Sequence, residues 1–360
     1  MRPDLGNPSL HRRFPSARAV RRPSSIRLLL RATVVAGLLL PAASTSVRGA
    51  DLDPSSTKND AVPPAETAAG PAGDDKPAPR SARGPLLAAG YLHAFDASID
   101  EGGRFSTDTA FMAGRLGFPV GAGLILGTQL AWQGDWYSFD GENPVATPPD
   151  AKPWGDVHSL AGSVSLGRKV GKWWLNGAFT ARFSFEVGAS IGESFNPGGL
   201  VGAQYTFSPG LRLGGGLLIA ARLEESPLIV PIPFVYWEIT PQFVLSNTIA
   251  PSAYPRGPGI ELAWRPTEDW ALAFGGRWEF RRFRLDDGGP FIRQGGVGED
   301  EGVPLWLRLT WRLGEHLRAD VLGGYSVANR LRLSDANGNE LRSSGTSSIP
   351  YLGAFVSWQF

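Results

Sequence analysis

Residues 270–284, WALAFGGRWEFRRFR, decide the fold. Trp270, Leu272, Phe274, Gly276, Trp278 and Phe280 share one parity, while Ala271, Ala273, Gly275, Arg277, Glu279 and Arg281 share the other. Successive side chains of a β-strand point to opposite faces. The stretch therefore reads as a strand with one oily, aromatic face and one small or charged face. The same period of two returns along the chain. In WWLNGAFTARFSFEV (173–187), Trp173, Leu175, Phe179, Phe183, Phe185 and Val187 oppose Asn176, Thr180, Arg182, Ser184 and Glu186. In VPLWLRLTWRL (303–313), Leu305, Leu307, Leu309, Trp311 and Leu313 oppose Arg308, Thr310 and Arg312. No comparable stretch of helical period occurs between residue 86 and the end.

The breaks between strands alternate in kind. Short turns lie at 118–121, 167–172, 207–210, 239–242, 265–269 and 313–316, and longer polar segments lie between them, among them 140–153, 286–302 and 334–345. Short turns at one end and long loops at the other are the build of a transmembrane barrel. Two strands for each short turn, with a first strand near 86–99 and a last near 347–360, predict about fourteen, within a range of roughly 12 to 16. A soluble sandwich alternates too, with its apolar face turned inward. Strands of about eleven residues and Trp residues near strand ends (Trp132, Trp136, Trp173, Trp237, Trp264, Trp270, Trp311) favour the membrane. The expected fold is all-β, a closed antiparallel transmembrane β-barrel over 86–360.

Upstream, Arg12, Arg13, Arg18, Arg21, Arg22 and Arg27 precede an apolar run, Ala32 to Leu40, that is too short to cross a bilayer as a helix. Residues 1–50 read as a secretory signal peptide. Residues 51–85, rich in Pro, Ala and Asp, bury too little apolar surface to offset their ordering entropy and read as a disordered periplasmic linker.

The chain ends YLGAFVSWQF, with Ala354, Val356, Trp358 and Phe360 on one face. This ending resembles the carboxy-terminal assembly signal of Gram-negative outer-membrane barrels, which implies that Val356, Trp358 and Phe360 are read by the barrel-assembly machinery. The segments LIVPIPFVYWEITPQFVLSNTIAP and GPGIELAWRPTEDWALAFGGRW are similar to those of uncharacterised outer-membrane barrel families. The resemblance implies the outer membrane of a Gram-negative-type bacterium, with lipid as surroundings. It carries no catalytic motif.

Composition narrows the chemistry. The 360 residues hold no Cys, which excludes disulfides and thiolate sites, and their 46 Gly and 12 Trp stand out. A net charge of +1 with dispersed Arg residues argues against nucleic acid. Of the 4 His, His11 belongs to the leader, His316 to a turn, and His93 and His158 to strands. Ser159 neighbours His158, but adjacent strand residues face opposite ways, so the pair makes no dyad. The acidic segments 298–302 and 334–340 lack the ligand spacing of a calcium loop. No catalytic residue, metal or cofactor is expected, and the chain is not read as an enzyme.

Inward parity predicts a lumen lined by Arg115, Arg182, Glu186, Arg222, Glu224, Arg277, Glu279, Arg281, Arg308, Asp320 and Arg330, with Asp135 and Arg332 beside them and Arg212, Arg265, Arg312 and Arg318 near the short-turn end. An excess of Arg suits an anion-favouring pore. Arg182 with Glu186, and Arg277 with Glu279 and Arg281, equally suit an interior plugged by ion pairs along single strands. A passive channel for small polar or anionic solutes is the leading expectation. The alternatives are a non-conducting structural or adhesive barrel and a transporter of hydrophobic compounds.

Overall fold

The computed structural model of the chain describes residues 84–121, 123–146, 151–247, 258–289 and 291–360. The signal-peptide reading of 1–50, and the linker reading of 51–85 up to residue 83, lie outside the described residues. All strands join one antiparallel sheet: β1 (Leu86–Ser98), β2 (Arg104–Pro119), β3 (Leu124–Asp140), β4 (Asp156–Val170), β5 (Trp173–Glu186), β6 (Phe195–Ser208), β7 (Leu211–Arg222), β8 (Glu225–Thr240), β9 (Phe243–Ser246), β10 (Gly259–Trp264), β11 (Trp270–Arg277), β12 (Glu279–Arg284), β13 (Val297–Leu313), β14 (Leu317–Ser334), β15 (Glu340–Gly345) and β16 (Ile349–Gln359). β12 prolongs β11 beyond Trp278, and β15 is an addition to the far end of β14, which leaves 14 strands around the wall. β1 pairs with β16 and closes the barrel, so no edge is left along that seam.

The six turns expected to be short join β2 to β3, β4 to β5, β6 to β7, β8 to β9, β10 to β11 and β13 to β14, all at one end. Both ends of the barrel chain lie there as well, Phe360 N donating to Pro85 O at 2.9 Å. The outer face is apolar, with Leu130 73%, Phe274 60%, Phe179 57% and Leu307 53% exposed. Such surface is stable against lipid and costly against water. Near the short turns, Trp173, Trp237, Trp264, Trp270, Trp311 and Trp358 all face outward and are each 40–48% exposed. Trp270 and Trp311, cross-strand partners, stack at 5.2 Å. Trp132 and Trp136 lie nearer the other end.

Strand lengths are uneven. β9 has 4 residues and β10 has 6, shorter than the pattern predicts, whereas β8 has 16. β8 therefore runs past the end of its partner β9. Val235 N donates to Asn247 Oδ1 at 2.7 Å, and the Asn247 side-chain amide donates to Pro233 O. Alternate residues of a strand direct their N–H to the same side, so Pro231 and Pro233 fall where β8 has no strand partner among the described residues, and a residue without N–H leaves no donor unpaired. The apolar run of β8 is thereby explained: Pro231 and Pro233 face outward, while Ile232, 2% exposed, faces in.

At the long-loop end the wall narrows. β12 pairs with β13 on one side and, through a single parallel bridge between Arg284 and Phe185, with β5 on the other. β15 pairs with β14 and meets the end of β1 through the bridge between Ile99 and Thr346. A collar thus forms from β12, β13, β14, β15, β1, β2, β3, β4 and β5. Its interior is a hydrophobic core that includes Ile99, Phe105, Tyr137, Trp154, Val157, Phe283, Leu285, Leu331 and Leu333. Trp154 and Phe283 meet edge to face at 5.3 Å.

β12 keeps the parity of the opening stretch as it enters the collar. In β12 the inward residues are Glu279, Arg281 and Phe283, so Arg282 and Arg284 follow the parity of the oily face. A bulge in β14, by contrast, overturns the lumenal placement of Arg330 and Arg332. Ala328 takes a φ of 52°, and the β13–β14 register shifts between Glu301 and Val303. A bulge of this kind moves every following side chain to the other face. Leu331 and Leu333 turn inward, each 0% exposed, and Arg330 points outward to Ser343 at 3.0 Å and towards Glu340.

Candidate functional site

The lumen has two unlike halves. Below the collar, one wall is charged. Arg308, on β13, lies between Glu261 of β10 at 2.5 Å and Asp320 of β14 at 3.2 Å. Asp320 also receives Arg318 at 2.8 Å and the Thr310 hydroxyl at 2.5 Å, and Trp306 Nε1 donates to the second Glu261 oxygen at 2.9 Å. The Arg277 guanidinium stands 5.1 Å from the Trp306 ring. Alternation brings these groups inward: Glu261 sits between the outward Ile260 and Leu262, a signal present in the sequence but passed over there.

A second cluster lies directly under the collar core. Arg281 donates to Asp135 Oδ1 and to Asp300 Oδ2, both at 2.8 Å, with Glu279 at 3.7 Å. Thr109 and Gln133 donate to Asp135 at 2.7 and 2.8 Å, and Tyr137 OH to Asp300 at 2.8 Å. One guanidinium thus ties β12 and β13 to β3. Beside it is a cavity of about 50 Å³, lined by Arg281, Glu279, Asp300, Thr107, Thr109, Asn329 and Tyr351, with room for a few waters.

The opposite wall, β4 to β7, is lined largely by small, uncharged residues, with Arg182 on β5 and the buried Arg212 on β7 among them. Ala161, Ser163, Ser165, Ala178 and Thr180 face the lumen and are partly accessible, so solvent reaches this part of the interior. Arg115 and Arg182 also face inward and are partly accessible. The charged wall is nearly buried, with Glu261 3% and Asp320 8% exposed, so the accessible side of the lumen is that of β4 to β7, and the collar closes it at the long-loop end.

The remaining lumenal candidates hold the mouth together. Glu186 accepts Gly155 N at 2.6 Å, Asp286 N at 2.9 Å and Arg293 at 3.2 Å, which ties the β3–β4 and β12–β13 loops to the end of β5, and its expected partner Arg182 is not among these groups. Glu224 pairs with Arg284 at 2.5 Å, and Arg222 with Glu225 at 2.7 Å, at the tip between β7 and β8. Arg282, its side chain 1% exposed, binds Glu299 at 2.6 Å, Glu225 at 3.0 Å and Leu223 O at 2.7 Å. Ion pairing along single strands is a minor part of this pattern, because most partners come from other strands or loops.

On the outer face, the Asp108 carboxylate accepts the Tyr91 hydroxyl and His93 Nδ1, the latter at 2.8 Å. His158 also faces outward and stacks at 6.0 Å on Trp132, while Ser159 faces the lumen and shares a 2.9 Å hydrogen bond with Ser184. His316 bonds Gln359 O at 2.8 Å and stacks on Trp358. Val356 lies between Ala89 and Ala319, and Trp358 between Leu87 and Leu317, so the terminal strand is held on both sides. Among the described residues no group of three or more His, Cys, Asp or Glu side chains is placed to hold a metal ion.

No family model and no curated protein matches the chain, so its resemblance to an uncharacterised barrel family has no further support. Among solved structures, an outer membrane channel from Pseudomonas putida F1 is 9% identical over 78% of this chain and 99% of its own, with a TM-score of 0.43. The P. putida toluene transporter TodX is 9% identical over 77% and 90%, with a TM-score of 0.35. The KdgM porin, in complex with disordered oligogalacturonate, is 8% identical over 76% and 99%, with a TM-score of 0.28.

Proposed function

We propose that this barrel resides in the outer membrane of a Gram-negative-type bacterium and acts there as a channel for small polar solutes, shut at its long-loop mouth in the state described. The observation that carries this reading is the partly accessible lumenal face of β4 to β7, small and polar, which stands across the barrel from the Arg308–Glu261–Asp320 wall. Fixed charges across a water-filled passage select solutes by their charge and hydrogen bonding. The net excess of Arg favours anions. The leader, the terminal Phe360 strand and the lipid-facing girdles fit secretion, assembly by the barrel machinery and life in lipid. No catalytic step belongs to this reading.

The collar core favours a second reading, a barrel that conducts nothing and works through its loops. Planar-bilayer recordings of the refolded protein separate the two. The channel reading expects rare openings in the wild type and sustained, anion-preferring steps once residues 287–295 are deleted, because that deletion unties Arg293 from Glu186. Silence from both proteins would remove the channel reading and leave the loops as the working part.

A further inference from the structure

We propose that the β5 to β8 wall of the lumen is a binding track for uncharged saccharides, which gives the polar solute of the channel reading a chemical class and rests on that reading. Two aromatic rings lie against the wall. A Cβ on Gly167 would collide with the Trp174 ring, and a Cβ on Gly202 would collide with the Phe234 ring, so each ring rests on bare glycine backbone. Phe234 also covers Gly216, 2.8 Å from where a Cβ would stand. Held this way, Phe234 stays partly accessible from the lumen, while Trp174 is 9% exposed. Aromatic faces of this kind stack on the C–H face of a sugar ring at low entropic cost, since the ring is already positioned.

Polar groups without partners accompany the rings. Trp174 Nε1, Asn176 Oδ1 and Asn196 Oδ1 are buried and have no hydrogen-bond partner among the described residues. Trp174 pairs across the strands with Gln204, and Asn176 with Gly202, the residue beneath Phe234, so donor, acceptor and rings share one level of the wall. Thr180 and Asn196 continue the track upward; from Trp174 to the level of Arg182, the cross-strand partner of Asn196, is about 26 Å along β5, longer than one sugar ring. Buried polar groups left unpaired are costly, and a ligand that supplies both hydroxyl donors and acceptors removes that cost. A hydrocarbon would cover the rings and leave those groups unpaired. Arg281, Arg308 and the carboxylates they bind stand on other strands; on this wall Arg182 marks the upper end of the track and Arg212 lies 4.1 Å over the Tyr236 ring at its lower end, and the groups of β5 between them, Trp174, Asn176, Ala178 and Thr180, are neutral.

Isothermal titration of the refolded full chain with maltotriose, toluene and benzoate tests the assignment. Maltotriose is expected to bind, and Trp174→Ala with Phe234→Ala should weaken it about tenfold or more, while a heat-modifiable band on gels shows that the barrel persists. Asn176→Ala, which leaves both rings in place, should also weaken maltotriose. Binding of toluene or benzoate without maltotriose, or equal binding by wild type and variants, would overturn the track. Conductance reports separately: a barrel that binds maltotriose yet stays silent after loop deletion keeps the track and loses the channel, and one that conducts without binding maltotriose does the reverse.

Discussion

Arg281 and Asp135 are 146 positions apart in the chain, and a 2.8 Å ion pair joins them under the collar core. The same guanidinium holds Asp300, so one side chain fixes the inward lean of β12 and β13 against β3. Arg281→Met should cost about 3–5 kcal/mol, because it leaves two nearly buried carboxylates facing each other unpaired. Adding Asp135→Asn and Asp300→Asn should recover a large part of that loss. Urea unfolding of the refolded barrel measures both, and an unchanged midpoint for the single variant would contradict the tie.

Arg282 anchors the collar from its outer side, through Glu299, Glu225 and the carbonyl of Leu223. Arg282→Ala is expected to loosen the β7–β8 tip and lengthen channel openings, while the charged wall at Arg308 keeps its selectivity. Single-channel open times and reversal potentials read these separately. Open times equal to wild type would mean that the hydrophobic core alone holds the mouth.

Gly202 has a packing reason to lack a side chain, since Phe234 occupies the space. Gly202→Ala should destabilise the barrel by about 1–3 kcal/mol through overpacking. Gly202→Ala with Phe234→Leu should restore stability. Thermal unfolding of the three proteins checks the pair, and additive effects of the two substitutions would disprove the contact.

On the lipid face, Asp108 stands between His93 and Trp136 as their cross-strand partner and accepts bonds from both Tyr91 and His93. Asp108→Leu alone should lower stability by about 1–3 kcal/mol, because two donors lose their acceptor where lipid offers no substitute. Joining Tyr91→Phe and His93→Leu to it should bring stability back, as all three polar groups then leave together. Folding equilibria in vesicles decide this, and a neutral single variant would show that headgroups or water already solvate the cluster.

Asp335 gives a pH dependence whose sign follows from its turn between β14 and β15. The Asn339 side-chain amide donates to it at 3.0 Å, and the backbone N–H groups of Asn339 and Asn337 donate at 2.9 Å. These bonds favour the carboxylate and hold its pKa below the ordinary 3.8. A depressed folded pKa means that the turn gains from the charge above 3.8 and loses that gain as pH falls through the folded value. The carboxyl resonance of Asp335 and the amide shifts of Asn337 and Asn339 should titrate together with a midpoint under 3.8. A midpoint at or above that value would show that the bonds do not form in solution.

Strand identity, strand number and the short-turn end were legible because a barrel wall in lipid imposes one local rule, alternation, on each strand independently. Trp270 to Arg277, Trp173 to Val187 and the terminal Val356, Trp358 and Phe360 needed no partner to be read. The lumen was legible where that rule holds, at Arg308, Asp320, Arg277 and Arg281. It failed above Ala328, where one bulge turned Leu331 and Leu333 inward and Arg330 outward, since a change of parity depends on how two strands register and not on either strand alone.

Tertiary structure alone decided the rest. The bridge from Arg284 to Phe185 joins residues 99 positions apart, and without it the barrel would have no collar and Phe283 no core to enter. The partners of Glu186, Arg281 and Arg282 come from distant loops for the same reason: a side chain's face is set by its neighbours in sequence, but the group it meets is set by closure of the whole wall.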